Sequence, residues 1–242
     1  MGRARCGSVQ ASTEDMPREL EVIATIRTDF PTKFGVPRQS GLVKGLKGRI
    51  VFEPSYRDPE ALRGLEGYDY IWLLWDFSEA HREGERWQPT VRPPRLGGNR
   101  RMGVWATRSP FRPNNIGLSS VRIAAIHLRT PEGPVIEVEG ADLMDGTPIY
   151  DIKPYLPFTD SHPESRGGFA EEQNAALQPL SVTFAPEVEQ VFSVEQQEAL
   201  RGILSADPRP HYHADADRVY ALEFAGSEVR FRICGNRVEA WV

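Results

Sequence analysis

The sequence predicts a mainly β protein: a β-barrel domain followed by a small C-terminal α+β domain. Three observations lead there. Segments of alternating apolar and polar residues recur through the first two-thirds of the chain. The residues between them are Gly, Pro and Asp, which suit tight turns. Helical periodicity is nearly absent until the last third. Many short strands without intervening helices pair antiparallel, and such a sheet curls or closes on itself.

Taken in order, residues 1–17 are small and polar without a period, and are expected to form a disordered arm because they bury too little surface to order. The barrel is expected over residues 18–160. Its strands are "LEVIATIRT" from Leu20, "GRIVFEP" from Gly48, "YDYIWLLWDF" from Tyr68, "MGVWAT" from Met102, "SVRIAAIHLRT" from Ser120 and "VIEVEGAD" from Val135. One short helix, "DPEALRGLEG", starts at Asp58 as N-cap with Pro59 in its first turn. Residues 161–179 are polar and glycine-containing and read as a linker. In the expected C-terminal domain, 180–242, "LSVTF" reads as a strand and "SVEQQEALRGIL" as a helix opened by a Ser193–Gln196 capping box, with Leu200, Ile203 and Leu204 on its apolar stripe. Strands "RVYALEFA", "EVRFRICG" and "RVEAWV" follow. A unit this small gains stability by docking on the barrel or on a partner.

Composition narrows the function. Of 242 residues, 40% are hydrophobic and 26% charged, ordinary for a soluble globular protein. The N-terminus lacks the apolar stretch of a secretory signal, and the longest apolar run, "YIWLLW", is far too short to span a bilayer, so no membrane partner is expected. Cys6 and Cys234 form neither a metal spacing nor a disulfide framework, which fits a reducing, cytoplasmic compartment. His211 and His213 share a strand face, but without a third nearby ligand they read as surface histidines, and no metal is expected. No phosphate-binding glycine loop, dinucleotide fingerprint or nucleophile elbow is present.

The net charge is −5, which speaks against a protein coated in nucleic acid, yet between Arg82 and Arg112 eight arginines face two glutamates, a local +6. Arginine suits bidentate phosphate contacts and stacking on bases, so this window is a candidate anion or nucleic-acid face; the alternative is a solvated loop paired with acids elsewhere. Three proline-rich polar loops adjoin the strands: "VPRQSG" at Val36, "RPPRLGGNRRMGVWATRSPFRPNNIG", and "DGTPIYDIKPYLPF". Proline lowers the entropy a loop loses on binding, and loops on a rigid barrel are where sites usually lie. Locally, Asp145–Gly146 is explained by a plain turn; the alternative is that Asp142 or Asp145 presents a carboxylate to a cation or a ribose.

These loops, with "GLVKG", "ALRGLEGYDYIWLLW" and "ADPRP", closely resemble the TsaA-like family of tRNA methyltransferases called TrmO, from about Leu20 to the C-terminus, most specifically in "GVWATRSPFRPNNIG". The resemblance implies a homodimeric β-barrel enzyme that binds S-adenosylmethionine and methylates the exocyclic nitrogen of threonylcarbamoyladenosine beside the tRNA anticodon. On the matching positions, Pro37, Arg38, Gln39, Tyr70, Ile71, Arg108, Leu118 and the turn of Asp142, Leu143, Met144 and Asp145 are implied to bind the cofactor. Arg108 is assigned to the cofactor or its carboxylate, Leu118 and Ile71 to its adenine, and Asp142 or Asp145 to its polar groups. Arg95, Arg100, Arg101, Arg112 and Arg209 are implied to bind the tRNA substrate. The chain departs from the family in carrying Asn115 where proline is usual, which is expected to relax the loop. Its "HYHADADR" also differs from the basic residues often found after "DPRP". No catalytic base is singled out. A non-catalytic RNA-binding barrel or a nucleotide-binding protein is the alternative.

Overall fold

The computed structural model describes residues 19–81, 87–93, 100–171, 178–209 and 217–242. The expected disordered arm and the His211–His213 pair fall outside them. The alternating segments become β1 (Ala24–Thr28), β2 (Lys47–Phe52), β3 (Tyr70–Asp76), β6 (Ile116–His127) and β7 (Val135–Glu139), joined by β8 (Thr147–Pro154) into a closed barrel of order β1-β2-β7-β6-β3-β8. All its pairings are antiparallel. Alternation drives this closure: Ile26, Ile50, Ile71, Leu73, Val121, Ile136, Val138 and Ile149 all point inward and are buried. Among the described residues, no helix is long and apolar enough to cross a membrane.

Three local expectations are corrected. "MGVWAT" is not a barrel strand: among the described residues β5 (Met102–Gly103) pairs only with β4 (Thr90–Val91), and the chain then turns through a 3-10 helix at Val104–Ala106. The stretch from Asp58 is two 3-10 turns, Pro59–Leu62 and Leu65–Gly67, rather than one helix. Asp58 does accept the Glu60 amide at 3.0 Å, but Gly64 at φ 88° breaks the helix between the turns. Finally, "TPIYDIKP", read as loop, is the strand that closes the barrel. Pro148 and Pro154 stand near its two ends, where the missing donors leave the pairing of Ile149, Asp151, Ile152 and Lys153 intact.

The second unit holds a sheet of order β10-β11-β12-β9, from β9 (Ser181–Phe184), β10 (Tyr220–Phe224), β11 (Ser227–Cys234) and β12 (Arg237–Trp241), with β9 parallel to β12. A short α1 (Pro157–Asp160) leaves the barrel; α2 (Pro186–Val191) and α3 (Val194–Ser205) cover the second sheet. The capping box forms as the sequence indicates, with Gln196 N donating to Ser193 Oγ at 3.2 Å and Ser193 N donating to Gln196 Oε1 at 3.1 Å. Ala199, Leu200, Ile203 and Leu204 are buried beneath it.

What binds the two units is a segment between β1 and β2. Phe30, Val43 and Leu46 belong to the core of the second unit, with Phe34 and Val36 packed against it. A Cβ at Gly202 of α3 would lie 2.6 Å from Val43, so only glycine permits that approach without a shift. The Ala225 amide at the β10–β11 turn donates to Asp29 O at 2.9 Å.

Candidate functional site

Three loops meet at one end of the barrel. The inward-facing Trp75 lies over Gly117 on β6, where a Cβ would stand 2.3 Å from the indole. Trp75 Nε1 donates to Ser119 Oγ at 3.0 Å, and Ser119 Oγ donates to Asp142 Oδ1 at 2.6 Å. Asp142, just beyond β7, also accepts the Ser40 amide and faces the Arg108 guanidinium. Arg108 in turn donates to Gln39 Oε1, and Gly41 N donates to Gly140 O at 2.9 Å. The 36–41 loop, the 106–116 loop and the turn after β7 are thus one hydrogen-bonded cluster around a largely buried carboxylate. Burial pushes the Asp142 carboxyl above the usual carboxylate range, against the opposing pull of Ser119, Arg108 and the Ser40 amide.

The 106–116 loop is held from within. Arg112 Nη1 donates to Thr107 O at 2.7 Å and Val104 O at 3.3 Å, and its guanidinium lies 5.3 Å from the centroid of the Trp105 ring. Asn115 has a positive φ of 30°, donates from Nδ2 to Pro110 O at 2.6 Å, and its carbonyl accepts the Phe77 amide at 2.9 Å. Proline, fixed near φ −65°, cannot adopt that backbone. The departure at Asn115 therefore brings its own cross-link, and the loop is not relaxed as the sequence suggests.

Beside this cluster runs an open groove of about 2450 Å³, several times a small-molecule pocket and large enough for a polymer. Its described lining includes Arg38, Arg92, Arg101, Arg108, Arg112 and Arg209 and contains no acidic residue. Gly167 to Ala170, in the stretch read as linker, form part of its wall, as do Pro208 and Arg209 of the second unit.

The sequence profile of the tRNA-methyltransferase O N-terminal domain matches residues 25–161, and that of the TrmO C-terminal domain matches 177–241. A tRNA (adenine(37)-N6)-methyltransferase of Escherichia coli is 41% identical over 89% of this chain and 93% of its own length. The chain belongs to the tRNA-methyltransferase O family. A protein of the same name from Eikenella corrodens is 44% identical over 69% of this chain and 91% of its own. A crystal structure of TrmO from P. aeruginosa superposes with a TM-score of 0.73 at 30% identity, covering 94% of this chain and 97% of that one.

Within this TrmO-family chain the residues singled out in the sequence divide into groups. Arg38, Gln39, Arg108 and Asp142 come together, and Pro37 enters the same loop. Met144 uses its carbonyl to hold the Thr147 hydroxyl at 2.8 Å. Asp145 is engaged in structure: it accepts the Thr28 amide at 3.1 Å, pairs with Arg27 at 3.5 Å, and donates its own amide to Phe30 O. Ile71 and Leu143 are buried in the barrel core. Tyr70 and Leu118 are exposed on the outer face of β3 and β6. Arg95 lies outside the described residues, whereas Arg100 and Arg101 are exposed. Arg112 is an internal strut of its loop, and Arg209 is forked onto Asp207 at 2.9 and 2.8 Å.

The sequence reading did not select Ser119, Trp75 or Ser40. "LSSV" carries a weak signal, a serine on the inward register of β6, which is meaningful only once the strand's facing is known. The donor set suits the zwitterionic end of S-adenosylmethionine: a guanidinium for its carboxylate and a buried carboxylate for its cationic groups.

Proposed function

We propose that this chain transfers the methyl group of S-adenosylmethionine to the exocyclic nitrogen of threonylcarbamoyladenosine, next to the anticodon of a cytoplasmic tRNA. The observation that carries it is the groove beside the Asp142–Arg108 cluster, whose described lining holds six arginines and no acidic residue, in a chain whose relatives are tRNA methyltransferases. When bound, S-adenosylmethionine supplies a methyl group made electrophilic by its sulfonium. Arg108 holds the cofactor carboxylate, with Gln39 fixing the guanidinium. Asp142 faces the cationic groups and is kept in place by Ser119. Arg92, Arg100 and Arg101 hold tRNA phosphates, and the 106–116 loop aligns the acceptor nitrogen with the methyl group. Alignment matters because that lone pair is delocalised into the purine and the carbamoyl carbonyl, so the reaction depends on a near-attack arrangement, and the proton the nitrogen gives up would pass to water or to the substrate's own threonyl carboxylate.

The protein works as a homodimer. Tyr70, Trp72 and Leu74 run along the outer face of β3, Leu118 lies opposite Leu74, Tyr155 packs on Tyr70 and Trp72, and Phe158 follows on α1, 86% exposed. Such a face is characteristic of a protein contact surface. A second copy covers it, and mass measurement in solution reads twice the chain mass.

The function is tested by cofactor-dependent melting and by methylation of tRNA with and without the threonylcarbamoyl group. At 100 times its dissociation constant the cofactor adds about 2.7 kcal/mol of stability, and Arg108→Ala reduces that shift. Absence of any shift at millimolar cofactor overturns the reading. Cofactor binding without methyl transfer to either tRNA restricts the chain to a nucleotide-binding role.

A further inference from the structure

Trp105 is 64% exposed and Trp87 49% exposed. Trp105 occupies the 3-10 turn Val104–Ala106, whose first residue is fully buried. The Val104 amide donates to Pro89 O at 2.9 Å, tying the Trp87 segment to that turn, and the Val104 carbonyl receives the Thr107 amide at 3.1 Å and its hydroxyl at 2.9 Å. The two indoles stand 5.6 Å apart at 37°, with the Arg112 guanidinium over Trp105. Both line the arginine groove.

A fold gains little by leaving two paired tryptophans open to water. Their surroundings identify what covers them. With six arginines and no acidic residue in the described lining, the groove favours a polyanion, and a flat aromatic surface beside arginine is the arrangement that receives an unstacked base. We infer that Trp105, backed by Trp87, is a stacking subsite for an unpaired anticodon-loop base flanking the modified adenosine, holding that loop open while the target enters the site. The inference rests on the proposed tRNA substrate and assigns to the pair a task distinct from cofactor binding.

The test measures binding of an unmodified anticodon stem–loop, a fully paired hairpin of equal length, and S-adenosylmethionine. Trp105→Ala weakens stem–loop binding about 5- to 150-fold, the range for losing one base–aromatic stack. It leaves the slope of log affinity against log salt, the hairpin affinity and the cofactor affinity unchanged, because stacking releases no counterions. Trp105→Phe restores most of the loss. Trp87→Ala, which leaves the 106–116 loop untouched, also weakens stem–loop binding. In the wild type the stem–loop shields tryptophan fluorescence from acrylamide, and this protection is lost in the Trp87→Phe/Trp105→Phe double variant. A stem–loop affinity unaffected by Trp105→Ala overturns the inference alone. A loss of cofactor affinity in that variant also overturns it, by placing the pair in the cofactor site. A wild type that binds no tRNA overturns it together with the proposed function.

Discussion

Asp142 carries a conflict between stability and binding. Its carboxyl is pushed up by burial, so the folded state holds the proton more tightly than the unfolded chain does. That stability is fully present below the ordinary aspartate value and is lost as pH rises through the raised folded value. Ionisation at the same time creates the charge that faces Arg108 and, in the proposed function, the cofactor. Over the window between the ordinary and the raised value the wild type is therefore expected to lose melting temperature relative to Asp142→Asn while gaining cofactor affinity. Asp29, also pushed up by burial and by Asp145, has the same sign in both proteins and cancels in the comparison. Parallel pH profiles for the two proteins would show that Asp142 does not titrate across the window.

At the scale of the element, the 106–116 loop is held by Arg112 and Asn115. Asn115 combines a left-handed backbone with a hydrogen bond across the loop. Asn115→Ala is expected to lose about 1–2 kcal/mol, because it removes the bond and the short polar side chain that lets asparagine tolerate a positive φ better than alanine does. Asn115→Gly, with no Cβ at that φ, should lose less, whereas Asn115→Pro forces another loop shape and lowers cofactor affinity as well. Thermal melts showing equal losses for Gly, Ala and Pro would mean that the left-handed turn is not enforced. The loop's place was legible in its two arginines and two asparagines, but not its internal wiring, because Arg112 reads as a phosphate ligand until its carbonyl partners are in view. The same limit hid β8. Pro148 and Pro154 carry a turn signal in sequence, and only the position of a strand in the barrel shows which donors it can spare.

Across the whole molecule, the stretch from Phe30 to Leu46 makes the two units interdependent. Its apolar residues have no period and are spaced by Gly, Pro and Lys, so nothing in their order announces that Phe30, Val43 and Leu46 pack beneath α3 rather than inside the barrel. The capping box and the alternating strands were legible because they are local patterns; this packing is not local. A single unfolding transition follows for the full chain. Val43→Ala should shift it by about 2 kcal/mol for the two methyl groups removed, a few degrees at this size. A chain ending at residue 160 leaves those three side chains uncovered and should associate or melt early. Two separate calorimetric transitions, with only one displaced by Val43→Ala, would contradict the coupling.

The arginine groove has a consequence reached before any contact is made. The window from Arg82 to Arg112 carries +6 in a chain of −5, so the rest of the sequence carries −11. A polyanion drifting toward most of the surface meets like charge, while one approaching the groove is drawn in, and the separation of charge turns the protein as the two draw near. The bias acts on every polyanion alike, so it sets where an RNA lands and in what orientation, and leaves the choice among RNAs to the contacts made afterwards. Orientation begins in the search itself, as a bias in how the molecules collide.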